Sequence, residues 1–386
     1  MSETFTARNP NIDAVRGLAV LGIFFLNILF MGNSLDGYTP TEPAASSDMG
    51  VEIFSRMFLE GRFIGLFTLL FGVGLAIQYQ GFSQQTANPF MPIKKRLKVL
   101  MVLGLLHGIF IWPGDVLLTY GLSALLALSY LESPLHQIRS RLILFIFISL
   151  VSMLALTQAV MDEPLPSRGS EQYWTALAPW IGSYPEQLIQ HLMQMLIVNL
   201  MILPIAILWY VAGMMLLGIY LYRSGFFETG FAPSARVQVQ FAAIAFVAVD
   251  LLLFHSKTPA IKALSQATVV YSAIPVALLY ADLIIRLCNG RAAVLSGLQK
   301  VGKLALSLYV LQSVMGILCF RYLFVDWLQS FDRIDYLLTA TLWAVCQMLL
   351  AAGYLKLFNQ GPLERLWRYL AFGSATNKTD SSEVNP

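Results

Sequence analysis

A histidine and an aspartate close together inside apolar sequence are the first chemistry this chain offers. His107 lies in GLLHGIF and Asp115 follows in WPGD. Imidazole takes up and releases protons near neutral pH, and a carboxylate in reach orients it. Such a pair can act as catalytic base and orienting group on a hydroxyl, or carry a coupling proton. The structural alternative is a neutral histidine bonding a neighbouring helix, with Asp115 capping the next one.

Other polar side chains sit in apolar surroundings, where they are costly and default to a functional reading. Asn27 in FFLNILF and Arg62 in EGRFIGLF are candidates to bind substrate and steady an oxyanion. Gly61, Gly65, Gly72 and Gly74 follow one another around Arg62 and allow close helix or ligand approach. The alternative for Arg62 is a guanidinium reaching out to lipid headgroups. Tyr120 and Gln312 are further substrate-binding candidates, and Asp250 and Asp282 also fall in apolar segments. Asp13 and Arg16 share a helix face and form a self-neutralised pair. That pair is either structural or a contact for an anion at the cytoplasmic face.

The elements that must position these residues are membrane helices. The 386 residues are 57% hydrophobic and only 12% charged, with mean hydropathy +0.66. A soluble domain carries about 25% charged residues. The fold class is therefore all-α, a polytopic transmembrane helix bundle. Ten spans of about 20 residues are expected, near 14–31, 63–80, 97–112, 114–131, 142–160, 194–221, 238–255, 267–287, 303–324 and 336–358. Trp112-Pro113-Gly114-Asp115 makes a tight hairpin between the third and fourth. Pro204 and Pro275 are expected to bend their spans. The first span reads as uncleaved, because no small-x-small site follows it.

With the N-terminus in the cytoplasm, most of the 25 Lys and Arg fall inside. Outside remain Arg56, Arg62, Arg168, Lys257, Lys262, Arg321 and Arg333, among acidic loops. Both termini are thus expected to be cytoplasmic. Residues 1–372 form one transmembrane domain, and 373–386 a disordered tail. The domain ends in GPLERLWRYLAF (361–372), an amphipathic helix expected to lie on the cytoplasmic leaflet. The outer loop 161–193 carries Tyr173, Trp174, Trp180 and Tyr184, a pattern of interfacial residues. In this topology Asn27, Arg62, His107 and Asp115 all reach the outer half of the bundle. His107, ten residues past Leu97, is about 15 Å in from the cytoplasmic end.

The partner implied directly is the lipid bilayer. No basic stripe interleaved with aromatics is present, so nucleic acid is not a partner. Cys288, Cys319 and Cys346 have no paired spacing. His107, His136, His191 and His255 form no metal motif, and no metal is expected.

Five segments carry a resemblance. They are NIDAVRGLAVLGIFFLNI, GRFIGLFTLLFGVGLAI, KRLKVLMVLGLLHGIFIWPGDVLLTYGL, GKLALSLYVLQS and GPLERLWR. Together they resemble the bacterial inner-membrane proteins typified by YeiB, which implies a multipass protein of the cell inner membrane. The opening IDAVRGLAVLGIFFLN is also similar to that of membrane-bound acyltransferases, the heparan-α-glucosaminide N-acetyltransferase and acyltransferase-3 groups. That likeness implies acyl transfer from a cytoplasmic thioester to a glycan or lipid acceptor, with acyl-coenzyme A as co-substrate and no bound cofactor. The basic stretches Lys94–Lys98 and Lys300–Lys303 would hold the thioester. Those enzymes use a histidine near the outer end of the first two spans. Loop 33–60 has none here, and His107 is the candidate substitute. A transporter or exporter of a small anionic or amphipathic molecule is the alternative, with Arg62 on the anion and His107 carrying the proton. A non-catalytic envelope protein is the third reading.

Overall fold

The first helix, α1 (Pro10–Met31), starts where the Asn9 side chain accepts the N–H of Asn11 at 2.9 Å and Pro10 opens the first turn. Its apolar run is largely buried by protein, and α3, α12, α13, α14 and α16 surround it. The structure, a computed structural model, describes residues 9–34, 37–159, 167–291 and 295–373.

After α1 come α2 (Asp48–Phe58), α3 (Arg62–Ser83), α4 (Phe90–Phe110), α5 (Leu117–Leu128), α6 (Leu135–Ala159), α7 (Glu171–Ile181) and α8 (Tyr184–Ile197). A π-helical stretch, Val198–Ile207, joins α8 to α9 (Leu208–Arg223). The short α10 (Phe226–Thr229) precedes α11 (Pro233–Phe254), α12 (Pro259–Arg291), α13 (Ser296–Lys303) and α14 (Ala305–Ile317). A second π-helical stretch, Leu318–Leu323, ends α14; α15 (Trp327–Ser330), α16 (Arg333–Tyr354) and α17 (Pro362–Phe372) complete the chain.

Each of the ten expected spans contains a helix, though only Leu117–Leu128 of 114–131 is helical. Eight helical segments among the described residues are long and apolar enough to cross a membrane. The other two form the α4–α5 hairpin. The first third of α4 carries Lys94, Lys95, Arg96 and Lys98, and α5 has only 12 residues. Helices α6 and α11 turn most of their apolar surface outward, with Phe241 69% and Leu252 74% exposed. A patch that extensive has only lipid as its natural solvent. Pro204 lies inside the first π-helical stretch, whose wider turn tolerates the N–H that proline lacks.

Three expectations change. Loop 33–60 holds α2, whose Arg56 is buried and paired with Asp250 on α11 at 2.8 Å. Tyr173 and Trp180 do not present their rings outward: both are buried in an apolar cluster with Trp112, Phe320 and Tyr336. Helix α17 does not simply rest on lipid. Glu364 accepts the N–H groups of Leu306 (2.8 Å) and Ser307 (3.1 Å) at the start of α14, and the indole of Trp367 donates to the carbonyl of Arg96 at 2.9 Å. Leu366, Tyr369 and Leu370 remain exposed on its other face. Residues 374–386 of the expected tail lie outside the described residues.

Candidate functional site

Helix α4 ends at Phe110, and the N–H groups of Ile111 and Trp112 both fold back on the carbonyl of His107 at 2.9 Å. That reversal returns Asp115 to the end of α4. Asp115 Oδ1 lies 2.9 Å from His107 Nδ1, while Oδ2 accepts the N–H of Leu118 at 2.8 Å. Asp115 thus meets the histidine and caps α5 at once. An ionised carboxylate can only accept, so Nδ1 is the donor in this contact, and in the neutral imidazole Nε2 then keeps its lone pair. Both side chains are buried, and Nε2 has no hydrogen-bond partner. The arrangement is that of a base with its orienting group.

Tyr309 of α14 packs its ring on His107, with centroids 5.4 Å apart, and its hydroxyl accepts the N–H of Val116 at 3.2 Å. On its other side the ring faces a cavity of about 1060 Å³ that opens at the end of the bundle where α1 begins. The rim carries Arg16, Lys303, Arg365 and Arg368, with Arg96 deeper in. Below the rim the walls are Phe67, Leu70, Phe71, Leu100, Leu117 and Leu306, and the floor is Tyr120 and Tyr309. The guanidinium of Arg96 stacks on Trp367 at 4.4 Å, leaving Nε without a partner; Oε1 of Gln78, also in the wall, has none either. The cavity is therefore cationic outside, apolar within, and separated from His107 by one aromatic ring.

Tyr120 stands on that floor, its hydroxyl 2.6 Å from Thr68 Oγ1. Arg16 is on the rim and pairs with Asp13 at 3.0 Å. Gln312 is elsewhere: it donates to the carbonyl of Val20 and to Gln347, both at 2.9 Å, and ties α14 to α1 and α16. Arg62 and Asn27 do not join His107. The fully buried guanidinium of Arg62 spends its donors on the carbonyls of Met57, Glu60 and Val269 and on Ser272 Oγ at 3.0 Å. That geometry fastens α3 to α12, with four of the five guanidinium N–H groups bonded inside the protein. Asn27 borders a separate crevice of about 10 Å³ with Leu59, Gly61 and Phe63. The expected meeting of four residues is thus reduced to His107 with Asp115. The group beside them that the sequence did not single out is Tyr309, and Arg96 was named only within the basic stretch Lys94–Lys98. Their signal was available: each sits in one of the resembling segments, GKLALSLYVLQS and KRLKVLMVLG.

The family described as "Protein of unknown function (DUF418)" matches residues 221–374. That stretch contains Lys303, Tyr309 and Glu364 but not His107. The chain is 29% identical to the uncharacterized protein YeiB of Escherichia coli K12 over 418 residues, covering 96% of this chain and 99% of that protein. It is 26% identical to the uncharacterized 39.9 kDa protein in the amylase 3' region of Bacillus acidopullulyticus, over 95% and 94% of the two chains. It is 22% identical to the uncharacterized protein YxaH of Bacillus subtilis 168, over 95% and 96%.

Proposed function

We propose, from the premise that this chain is a YeiB-like multispan membrane protein, that it transfers an acyl group from coenzyme A to a hydroxyl acceptor of the cell envelope. The observation that carries the reading is the cavity: a cationic rim, an apolar throat and two phenols at its floor, one of them against His107. Coenzyme A has the matching order of parts, with phosphates at one end and a thin arm ending in the thioester. Arg16, Lys303, Arg365 and Arg368 would face the phosphates, and the rim would be the cytoplasmic end. The acyl–sulfur bond would lie at Tyr309 and Tyr120.

The acceptor oxygen attacks the thioester carbonyl carbon. The hydroxyl proton passes to Nε2 of His107, whose imidazolium Asp115 stabilises. The hydroxyl of Tyr309, already an acceptor from Val116, has its own proton to give to the developing oxyanion. The carbon–sulfur bond then breaks, and the thiolate leaves with the proton returned from His107. Tyr309 and Tyr120 take the place first expected of Arg62 and Asn27. The localisation that follows is the bacterial inner membrane.

The test is the thermal stability of the purified protein in nanodiscs against coenzyme A and a panel of its thioesters. A ligand at a hundredfold excess over its Kd adds about 2.7 kcal/mol. A stabilisation that depends on the acyl group, and is lost in Arg96→Gln with Lys303→Gln, is expected. No shift with any thioester in a folded protein overturns the reading. It would leave export of an anionic amphipath, for which the same cavity is an inward-open vestibule and Val198–Ile207 a place to bend.

A further inference from the structure

Arg321 is buried at the end of the bundle opposite the basic cavity, 4% exposed, on the second π-helical stretch. Other arginines in this part of the chain are ion-paired or held by several protein acceptors, and Arg168, whose Nη2 is also buried without a partner, has Asp332 at 3.8 Å. Arg56 pairs with Asp250, and Arg333 with Glu52 at 3.2 Å; Arg62 spends its nitrogens on carbonyls and Ser272. Arg321 differs. Its Nη2 donates to the carbonyls of Asn33 at 2.6 Å and Phe30 at 3.5 Å, and its guanidinium lies over the Trp180 ring at 5.5 Å. Its Nη1 is buried with no partner, and among the described residues no carboxylate forms an ion pair with it. Next to it, Asn33 is 1% exposed, and its Oδ1 is also buried without a partner.

A buried guanidinium without a counter-charge is costly. A fold keeps such a group where something else supplies the charge. We propose that Arg321 and Asn33 form a second binding site, in which Nη1 holds the anionic oxygen of a phosphate or carboxylate and Oδ1 accepts a hydroxyl of the same molecule. Trp180 is its lid. Rare π-helical turns are found disproportionately at functional sites, and Arg321 lies in one. His191, with Nδ1 3.0 Å from the carbonyl of Ile109, packs against Trp180 with ring centroids 6.0 Å apart and lies within electrostatic reach of both Arg321 and His107. The site is therefore one side chain away from the candidate base. Its assignment to the acceptor's anionic group rests on the acyl-transfer reading; the anion site itself does not.

The experiment uses the full chain in phosphatidylcholine nanodiscs without coenzyme A. Tryptophan fluorescence is followed on titration with inorganic phosphate at constant ionic strength. A parallel sample replaces part of the lipid with phosphatidylglycerol. A saturable change is expected that disappears in Trp180→Phe, survives in Arg96→Gln with Lys303→Gln, and weakens at least about tenfold in Arg321→Gln. Arg321→Lys, which keeps the charge and loses the fork, is expected to weaken it too, and carries the test if the glutamine variant does not fold. A change with phosphate assigns a free anion, and one with phosphatidylglycerol alone assigns a lipid headgroup. No change with either, or a change untouched by the Arg321 variants, overturns the proposal and leaves a bridging water as the partner of Nη1. Because the rim variants are the control, this outcome is separate from success or failure of the coenzyme A test.

Discussion

Gly302 stands directly against the carbonyl oxygen of Asp13, so close that a Cβ there would lie 1.9 Å from it. Helices α13 and α1 meet backbone to backbone at this point, and Arg16 and Lys303 are thereby set on one rim. Neither atom in the contact belongs to a flexible side chain. Gly302→Ala is expected to cost about 1–3 kcal/mol through overpacking and to lower the thermal midpoint in nanodiscs. Gly74→Ala, where nothing lies within 4 Å of the added carbon, is expected to change it little.

The Arg56–Asp250 pair makes the opposite case. Both side chains are almost fully buried, and Thr268 also donates to Asp250 at 2.8 Å. Removing one partner leaves a bare charge, so Asp250→Ala is expected to destabilise by about 3–5 kcal/mol. Arg56→Met combined with Asp250→Leu is expected to recover most of that loss. Thermal unfolding of the single and double variants checks the sign and size of the difference.

Asp115 has one oxygen for His107 and one for Leu118. Asp115→Asn can keep the cap with its amide oxygen, but its NH₂ then faces Nδ1 and drives the imidazole proton to Nε2. The variant is expected to stay folded and to lose about 10²–10⁴-fold in thioester turnover. Nitrogen NMR of the labelled imidazole should report the exchanged tautomer. Asp115→Ala is expected to lose the cap as well, at about 1 kcal/mol. Full turnover in Asp115→Asn would remove His107 from the mechanism.

Glu364 fills the start of α14 with its carboxylate and also bonds the hydroxyl of Ser307. Glu364→Ala strips that cap, at about 1 kcal/mol. Hydrogen exchange is expected to quicken over Pro362–Phe372, because the carboxylate anchor of α17 on α14 is gone and the Leu363 N–H on Ser307 (3.1 Å) and the Trp367 indole on Arg96 remain. Tyr369→Ala, on the exposed face, should leave the exchange unchanged.

The helices were legible because long apolar runs have few other ways to fold, and the His107–Asp115 pair because a Pro-Gly turn lies between its members. Depth misled for Arg62 and Asn27. Residues at one level of a bundle still face different neighbours, and hydropathy does not report rotation about the helix axis. Arg62 has glycines around it that suggested ligand access, yet Gly72 brings a Cβ position within 2.0 Å of the carbonyl of Met215 and so serves a helix crossing. Trp180 and Tyr173 looked outward-facing because the aromatic pattern of a membrane boundary and that of a buried cluster are the same in sequence. The cavity could not be read, because its rim is assembled from α1, α4, α13 and α17, segments far apart in the chain.

The cavity also bears on where the membrane voltage falls. Water and ions in a wide vestibule carry the potential of their own compartment down to Tyr309. The field is then concentrated on the thin layer between that ring and the opposite face, and His107 lies in it. An elementary charge crossing the full potential gains or loses about 2.3 kcal/mol per 100 mV. A proton taken up by His107 on one side of this layer and released on the other would feel a large part of that energy, so turnover in an energised vesicle would depend on the sign of the membrane potential, one proton crossing that layer per turnover.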